Sequence, residues 1–202
     1  MRGATAQRDP EKTRAMLLET AFDEIYRGGF QGTGLDRILS RAKVTKGALY
    51  HYFDSKEKLG YAIVDEVIAE ITRKKWLVPF EEDNDPIDTL IGIVMGTSLK
   101  PEHVEGGCPL NNLSQEMSPL DDGFRRRVAH VFKSWMGAIA DALRKGQKRG
   151  QVRQDIDAED TAWFVIATYE GYTSLAKNAQ DAAVLRSGIR RIVEYLEGLR
   201  AG

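Results

Sequence analysis

The apolar residues of this chain recur at helical spacing almost from end to end, and that period restricts it to packed helices. Leu18, Ala21, Phe22 and Ile25 stand at i, i+3, i+4 and i+7, and Gly28-Gly29 stops the run. Leu35, Ile38, Leu39 and Ala42 form a second, short stripe after Thr33. Lys43-Val44 then leads tightly into a third helix opened by Thr45. Asp54-Ser55 breaks the chain before a longer helix from about 56 to 76, apolar at Leu59, Ile63, Val64, Val67, Ile68 and Ile71. So broad a stripe predicts a helix packed on two sides. The acidic stretch VPFEEDNDP (78–86) reads as a loop, with Pro86 suited to the first turn of the next helix. Ile87, Leu90, Ile91, Val94, Met95 and Leu99 face that helix inward. KPEHVEGGC (100–108) reads as another loop, ending at Cys108-Pro109 where a short helix begins. Phe124, Val128, Val131, Phe132, Trp135 and Ile139 mark a long helix closed by Gly146 or Gly150, and two more follow at about 157–178 and 181–199. No stretch alternates as a strand would, and the predicted fold class is all-α.

Composition narrows the function. With 202 residues, 42% hydrophobic and 29% charged, the chain can bury a sizeable core and is not of disordered type. A net charge of −1 excludes a whole-chain affinity for polyanions. The charge is uneven, however: residues 1–60 carry 11 basic against 8 acidic side chains, and the remainder 18 against 22. That imbalance points to a nucleic-acid-binding head on an acidic body. The single Cys108 allows no intrachain disulfide and fits a reducing compartment. The N-terminus has no leader-like apolar run, and no stretch reaches the roughly 18 apolar residues of a membrane span. The expectation is a cytoplasmic protein without membrane contact.

The segment TKGALYHYFDSK (45–56) sets three bulky residues, Tyr50, His51 and Tyr52, side by side on a helix. Successive helical residues lie about 100° apart, so one core cannot absorb all three. Leu49 and Phe53, spaced i, i+4, are the inward pair, which turns Lys46, Tyr50 and His51 outward and leaves Tyr52 on a flank. Two short helices joined by about three residues have the spacing of a helix-turn-helix, whose second helix enters the DNA major groove. Thr45 can cap that helix, and its N-terminus favours phosphate. Gly47 allows close backbone approach. Lysine and tyrosine hydroxyls donate to phosphates, and histidine or lysine reaches base edges. The competing reading makes Tyr50 and Tyr52 half-buried packing residues of a small bundle.

These residues carry a family resemblance. Gly29, Phe30, Thr33, Ile38, Val44, Thr45, Lys46, Gly47, Leu49, Tyr50, His51, Tyr52, Phe53, Ser55, Lys56 and Leu59 match the pattern of the TetR/AcrR transcriptional regulators over about residues 12–63. The resemblance implies a DNA-binding head, residues 1–55, and an effector-binding and dimerising helical body, residues 56–202, joined by the fourth helix. It also implies DNA contacts from Thr33, Thr45, Lys46, Gly47, Ala48, Tyr50, His51, Tyr52 and Lys56. Two positions depart from the pattern. Gly34 replaces a common Ser or Thr, and Ala48 replaces a common Thr, leaving a methyl to meet a thymine methyl.

In the body, Leu185, Ile189, Ile192, Leu196 and Leu199, with Trp163, Ile166 and Ala167, form a stripe suited either to a dimer interface or to the protomer's own core. Dimerisation is expected because one short recognition helix reads too few bases for useful specificity. EGGCPLNNLSQEMSPLDDGFR (105–125) resembles a subgroup of the family, some of whose members respond to small reactive or carboxylate metabolites. A thiol at a helix N-terminus has its pKa lowered, so Cys108 is read either as an electrophile or oxidant sensor or as a small buried residue. Cys108, Asn111, Asn112, Phe132, Trp135, Trp163, Tyr169 and Tyr172 are the candidate effector-binding residues.

No Ser-His-Asp arrangement and no phosphate-binding loop can be placed, so an enzyme is not expected. Nor is a metal: His103 and His130 with Glu102 and Glu105 match no ligand spacing, and no cofactor is predicted. The leading expectation is a dimeric repressor of a palindromic double-stranded DNA operator, released by a small-molecule effector. The alternative is an effector-independent architectural or division-associated DNA-binding protein.

Overall fold

A computed structural model describes residues 10–82 and 84–202. Of the N-terminal stretch read above for a leader, residues 1–9 lie outside it. The described residues form ten helices and no strand, beyond one isolated bridge between Val152 and Arg200. The head comprises α1 (Pro10–Gly28), α2 (Leu35–Ala42) and α3 (Lys46–Tyr52). Helix α4 runs through three stretches: Lys56–Ala62, a π-helical segment Ile63–Ile68, and Ala69–Trp76. The body continues with α5 (Pro86–Met95), α6 (Pro101–Gly106), α7 (Pro109–Met117), α8 (Asp122–Lys148), α9 (Ala158–Ala179) and α10 (Ala182–Glu197). Among the described residues no helix is long and apolar enough to cross a membrane.

Local chemistry explains most helix starts. Thr45, Ser55, Asp85, Asp121, Asp157 and Asp181 each accept a backbone N–H of the helix they open. Pro86, Pro101 and Pro109 occupy first-turn positions, where a missing N–H costs nothing. Within the expected loop 100–108, residues 101–106 are thereby corrected to helix α6. Pro101 starts it behind Lys100, and Gly107, at φ +70°, ends it after one and a half turns. Helix α8 ends at Lys148, two residues before Gly150, which is also at φ +70°, whereas Gly146 is buried inside it. The expected VPFEEDNDP loop contains a 3₁₀ turn, Val78–Phe80.

The core runs from head to body. Leu17, Ala21, Ile38 and Leu49 close the head, and Leu59, Ile63 and Val64 carry its packing into α4. At Gly60 a Cβ would stand 2.5 Å from both Phe30 and Phe124, so only glycine lets α4 cross so near these rings. The two rings meet edge to face at 4.7 Å, joining the head to α8. In the body, α9 packs between α8 and α10. Of the stripe, Leu185, Ile192, Leu196, Leu199 and Ile166 are buried and close the protomer's own core, whereas Ile189 is half-buried and Trp163 and Ala167 are exposed. Among the described residues, α9 leaves Trp163 (41% exposed), Phe164 (49%) and Leu175 (58%) outside, and Ile71, Met95 and Leu120 are exposed elsewhere in the body.

Candidate functional site

Helices α2 and α3 meet through a left-handed turn. Lys43 adopts φ 53°, and the N–H of Val44 returns to the Leu39 carbonyl at 3.1 Å. Beneath them Glu24 of α1 is buried and ion-paired with both Arg37 and Arg41 of α2. Burial opposes its ionisation, but the two guanidinium groups outweigh that and hold the carboxyl below its ordinary range. The pair of ion pairs sets α2, and hence α3, against α1.

Leu49 and Phe53 are buried, as their spacing predicts, and the opposite side of α3 is open. Lys46, Gly47, Tyr50 and His51 are exposed, with Tyr50 at 41%. The Lys46 ammonium lies 5.9 Å from the Tyr50 ring centroid. Tyr52 is half-buried against the head core, its ring 4.9 Å from that of His51. The Thr45 hydroxyl oxygen accepts the Ala48 N–H at 3.2 Å. A Cβ on Gly47 would meet nothing within 4 Å, so the fold itself does not require glycine there. Lys56 is half-buried, its ammonium 4.6 Å over the Phe30 ring, and burial lowers its pKa against the pull of Glu57 and Glu116. Thr33 is a correction. Its side chain is buried, with the hydroxyl donating to the Gly29 carbonyl at 2.7 Å, and so takes no part in the exposed face.

The body holds a cavity of about 970 Å³ between α4, α5, α7, α8 and α9. Of the eight candidate effector residues, Cys108, Trp135 and Tyr169 line it. Trp76, which spacing reasoning passed over, packs at 4.4 Å on Trp135 and 5.0 Å on Tyr169 to form the aromatic end. Lys75 donates to the Tyr169 hydroxyl at 2.5 Å and reaches Thr97 Oγ1 at 3.3 Å. Glu170 also lines the cavity; it is buried, and neither of its carboxylate oxygens has a hydrogen-bond partner. Burial raises its pKa to about 7, against the nearby Cys108, Lys75 and Asn111. One signal for Glu170 was present in the sequence: it falls on the buried stripe of α9, four residues after Ile166 and three before Thr173.

Five candidates lie elsewhere. Trp163 faces outward on α9, because the buried stripe of that helix passes through Ala162 and Ile166. Phe132 stacks on the far side of Trp135 at 6.2 Å. Tyr172 is packed against Gly188 of α10. Asn111 and Asn112 line a smaller cavity of about 440 Å³, where Asn111 donates to Ser174 and Asn112 accepts from Lys177. Cys108 is the N-cap residue of α7, as expected, but its surroundings disfavour the thiolate. Burial and the neighbouring Glu170 carboxylate push its pKa far up, outweighing the helix N-terminus.

Hydrogen bonds tie this region to the head. The Tyr26 hydroxyl of α1 donates to the Gly107 carbonyl at 2.7 Å, and Glu116 of α7 accepts the N–H groups of Phe30 and Gln31 at 2.8 Å each. Arg14 pairs with Glu66, and Arg127 of α8 with Asp65, on the π-helical segment of α4.

A helix-turn-helix head with an open second helix, set on a helical body that contains a cavity, defines a DNA-binding transcriptional regulator. The comparisons with known proteins agree. Residues 17–63 match the family described as bacterial regulatory proteins, tetR family, and residues 91–192 match the tetracyclin repressor-like C-terminal domain. The chain belongs to the TetR family of transcriptional regulators. It is 28% identical over 185 residues to the helix-turn-helix transcriptional repressor DhaR of Mycobacterium sp. (strain GP1), covering 91% of this chain and 86% of that one. It is 30% identical to a helix-turn-helix regulator in the lacX 3′ region of Lactococcus lactis subsp. lactis, covering 87% and 88%. A TetR regulator from Chloroflexus aurantiacus superposes with a TM-score of 0.86 at 28% identity, over 97% of this chain and 100% of the other.

Proposed function

We propose that this regulator is a repressor that binds a two-fold operator as a dimer and leaves it when a small molecule occupies the body cavity. The observation that carries the DNA-binding role is the outward face of α3, where Lys46, Tyr50 and His51 stand exposed outside the head core. Lys46, Tyr50, Tyr52, Lys56 and the Thr45 hydroxyl contact phosphates; His51, with Gly47 and Ala48, meets base edges in the major groove. Dimerisation is supported by the apolar face of α9. Trp163, Phe164 and Leu175 are exposed in the protomer, and a Cβ on Gly171 between them would meet nothing within 4 Å. A second copy laid against that face buries it.

Repression is supported by the name of DhaR, a repressor. Ligand response is supported by the cavity, whose size is that of small-molecule sites. Release requires the ligand to favour a conformation in which the two α3 helices no longer match half-site spacing. The route runs from Cys108 and Gly107 to Tyr26, and through α4, which touches both cavity and head. A chemically broad ligand panel, titrated onto the protein–DNA complex, tests this. At least one class is expected to release DNA while raising the melting temperature of the free protein. A complex indifferent to every class would favour the effector-independent reading.

A further inference from the structure

Glu170 is the least accommodated group in the body. It is 6% exposed, both oxygens lack a partner among the described residues, and it forms part of the cavity wall. An unmet buried carboxylate is costly, and such groups persist where something outside the fold satisfies them. Lys75 does not do so. Its ammonium is committed to Tyr169 and Thr97 and makes no ion pair with Glu170. Asn111 donates to Ser174, and although its amide and the Cys108 thiol both lie near Glu170 and favour its ionised form, neither makes a hydrogen bond to a carboxylate oxygen. A second orphan stands in the same wall: the buried indole Nε1–H of Trp135 has no acceptor. The cavity therefore presents one unmet acceptor group and one unmet donor, set among apolar and aromatic surface.

A protonated amine answers the first need best. Its several N–H donors can satisfy both carboxylate oxygens at once and cancel the buried charge. A neutral carbonyl ligand would require Glu170 to be protonated and would still leave one oxygen unmet. A carboxylate ligand would add a second negative charge. An acceptor oxygen elsewhere on the ligand answers the second need. Exposed Glu82 in the lining also favours entry of a cation.

We propose that the body cavity recognises an organic amine with an apolar body and an acceptor oxygen, its protonated nitrogen on Glu170 and its acceptor on the Trp135 indole N–H. This rests on the reading of the cavity as the effector site. The test uses the full-length protein, with melting temperature and calorimetric titration as readouts. The probes are 2-amino-1-phenylethanol, 2-phenylethylamine, 2-phenylethanol and 3-phenylpropionate. The amino alcohol is expected to bind most tightly and the plain amine less so, with no binding by the alcohol or the acid. Glu170→Gln should weaken amine binding by at least about tenfold, the loss of a charge-assisted bond. Its circular dichroism and cooperative melting report that it still folds. Trp135→Phe should bring the amino alcohol down to the level of the plain amine. Preferential binding of the acid or the alcohol overturns the proposal, as does amine binding that Glu170→Gln leaves unchanged, or no amine binding at all. If the acid binds and releases DNA, ligand-controlled repression stands while the amine assignment fails. If compounds of every class leave both melting and DNA binding unchanged, ligand control itself fails.

Discussion

Single residues carry opposite loads on the two sites. Gly47 costs α3 helix stability and fills no packing need; in the proposed DNA-binding role it lets the duplex approach the backbone closely. Gly47→Ala is predicted to leave the melting temperature unchanged or raise it, by up to about 1 kcal/mol of helix propensity, while weakening operator binding. Thermal melting and fluorescence anisotropy separate the two effects. Glu170 is the counterpart in the body. Its folded pKa of about 7 lies above the ordinary 4.5, so the folded state holds the proton more tightly. Stability from this group is full below pH 4.5 and is lost as pH rises through 7, by on the order of a few kcal/mol. Lys75 and Cys108 are the titratable neighbours that modulate it. Glu170→Gln should therefore melt above the parent protein at pH 8 and with it near pH 4.5; equal melting at both would contradict the burial argument. Cys108 follows the same physics. With its thiol pKa raised, alkylation by iodoacetamide at pH 7.5 should be at least about tenfold slower than for a free thiol. Rapid labelling would restore the reactive-cysteine reading. Helical spacing made the inward pair Leu49 and Phe53 legible, because one turn of helix fixes which side chains face together. The state of Cys108 was not legible: a helix N-terminus is local, but the burial and the Glu170 carboxylate that outweigh it come from 62 residues away.

At the level of elements, the junction between head and body combines a continuous core with a few specific hydrogen bonds. Glu116 of α7 holds the N–H groups of Phe30 and Gln31, just before the helix-turn-helix. Glu116→Ala should cost about 1–3 kcal/mol in chemical denaturation and weaken the coupling between cavity and DNA binding. A variant with unchanged stability and ligand release would show that α7 does not transmit. Helix α4 is regular in sequence pattern, yet residues 63–68 are π-helical. That widening occurs where Asp65 and Glu66 are drawn to Arg127 and Arg14 from two other helices. Periodicity does not reveal such a stretch, because the apolar stripe of Ile63, Val64, Val67 and Ile68 runs through it unbroken. Residues 100–108 were misread for a different reason. Their Gly-Gly pair is a strong breaker, and its weight hid the six-residue helix that Pro101 begins.

For the whole molecule, the all-α class and the order of helices were legible because each helix carries its own stripe and its own stop. What each stripe packs against was not. Leu185, Ile192 and Leu196 of α10 face the protomer's interior, whereas Trp163, Phe164 and Leu175 of α9 remain outside. A doubly charged variant, Trp163→Glu with Phe164→Glu, is predicted to sediment as a monomer and to lose two-site operator binding. A dimer that survives these changes would place the interface elsewhere. Because phosphate contacts make affinity strongly dependent on salt, sequence preference must be read at fixed ionic strength. The most direct measurement is selection of bound duplexes from a random pool at about 0.15 M salt. The expected result is enrichment of a two-fold site, with half-sites about one helical turn (34 Å) apart or slightly more, that His51→Ala redirects to other bases. Recovery of no preferred sequence, with binding that simply fades as salt rises, would contradict it.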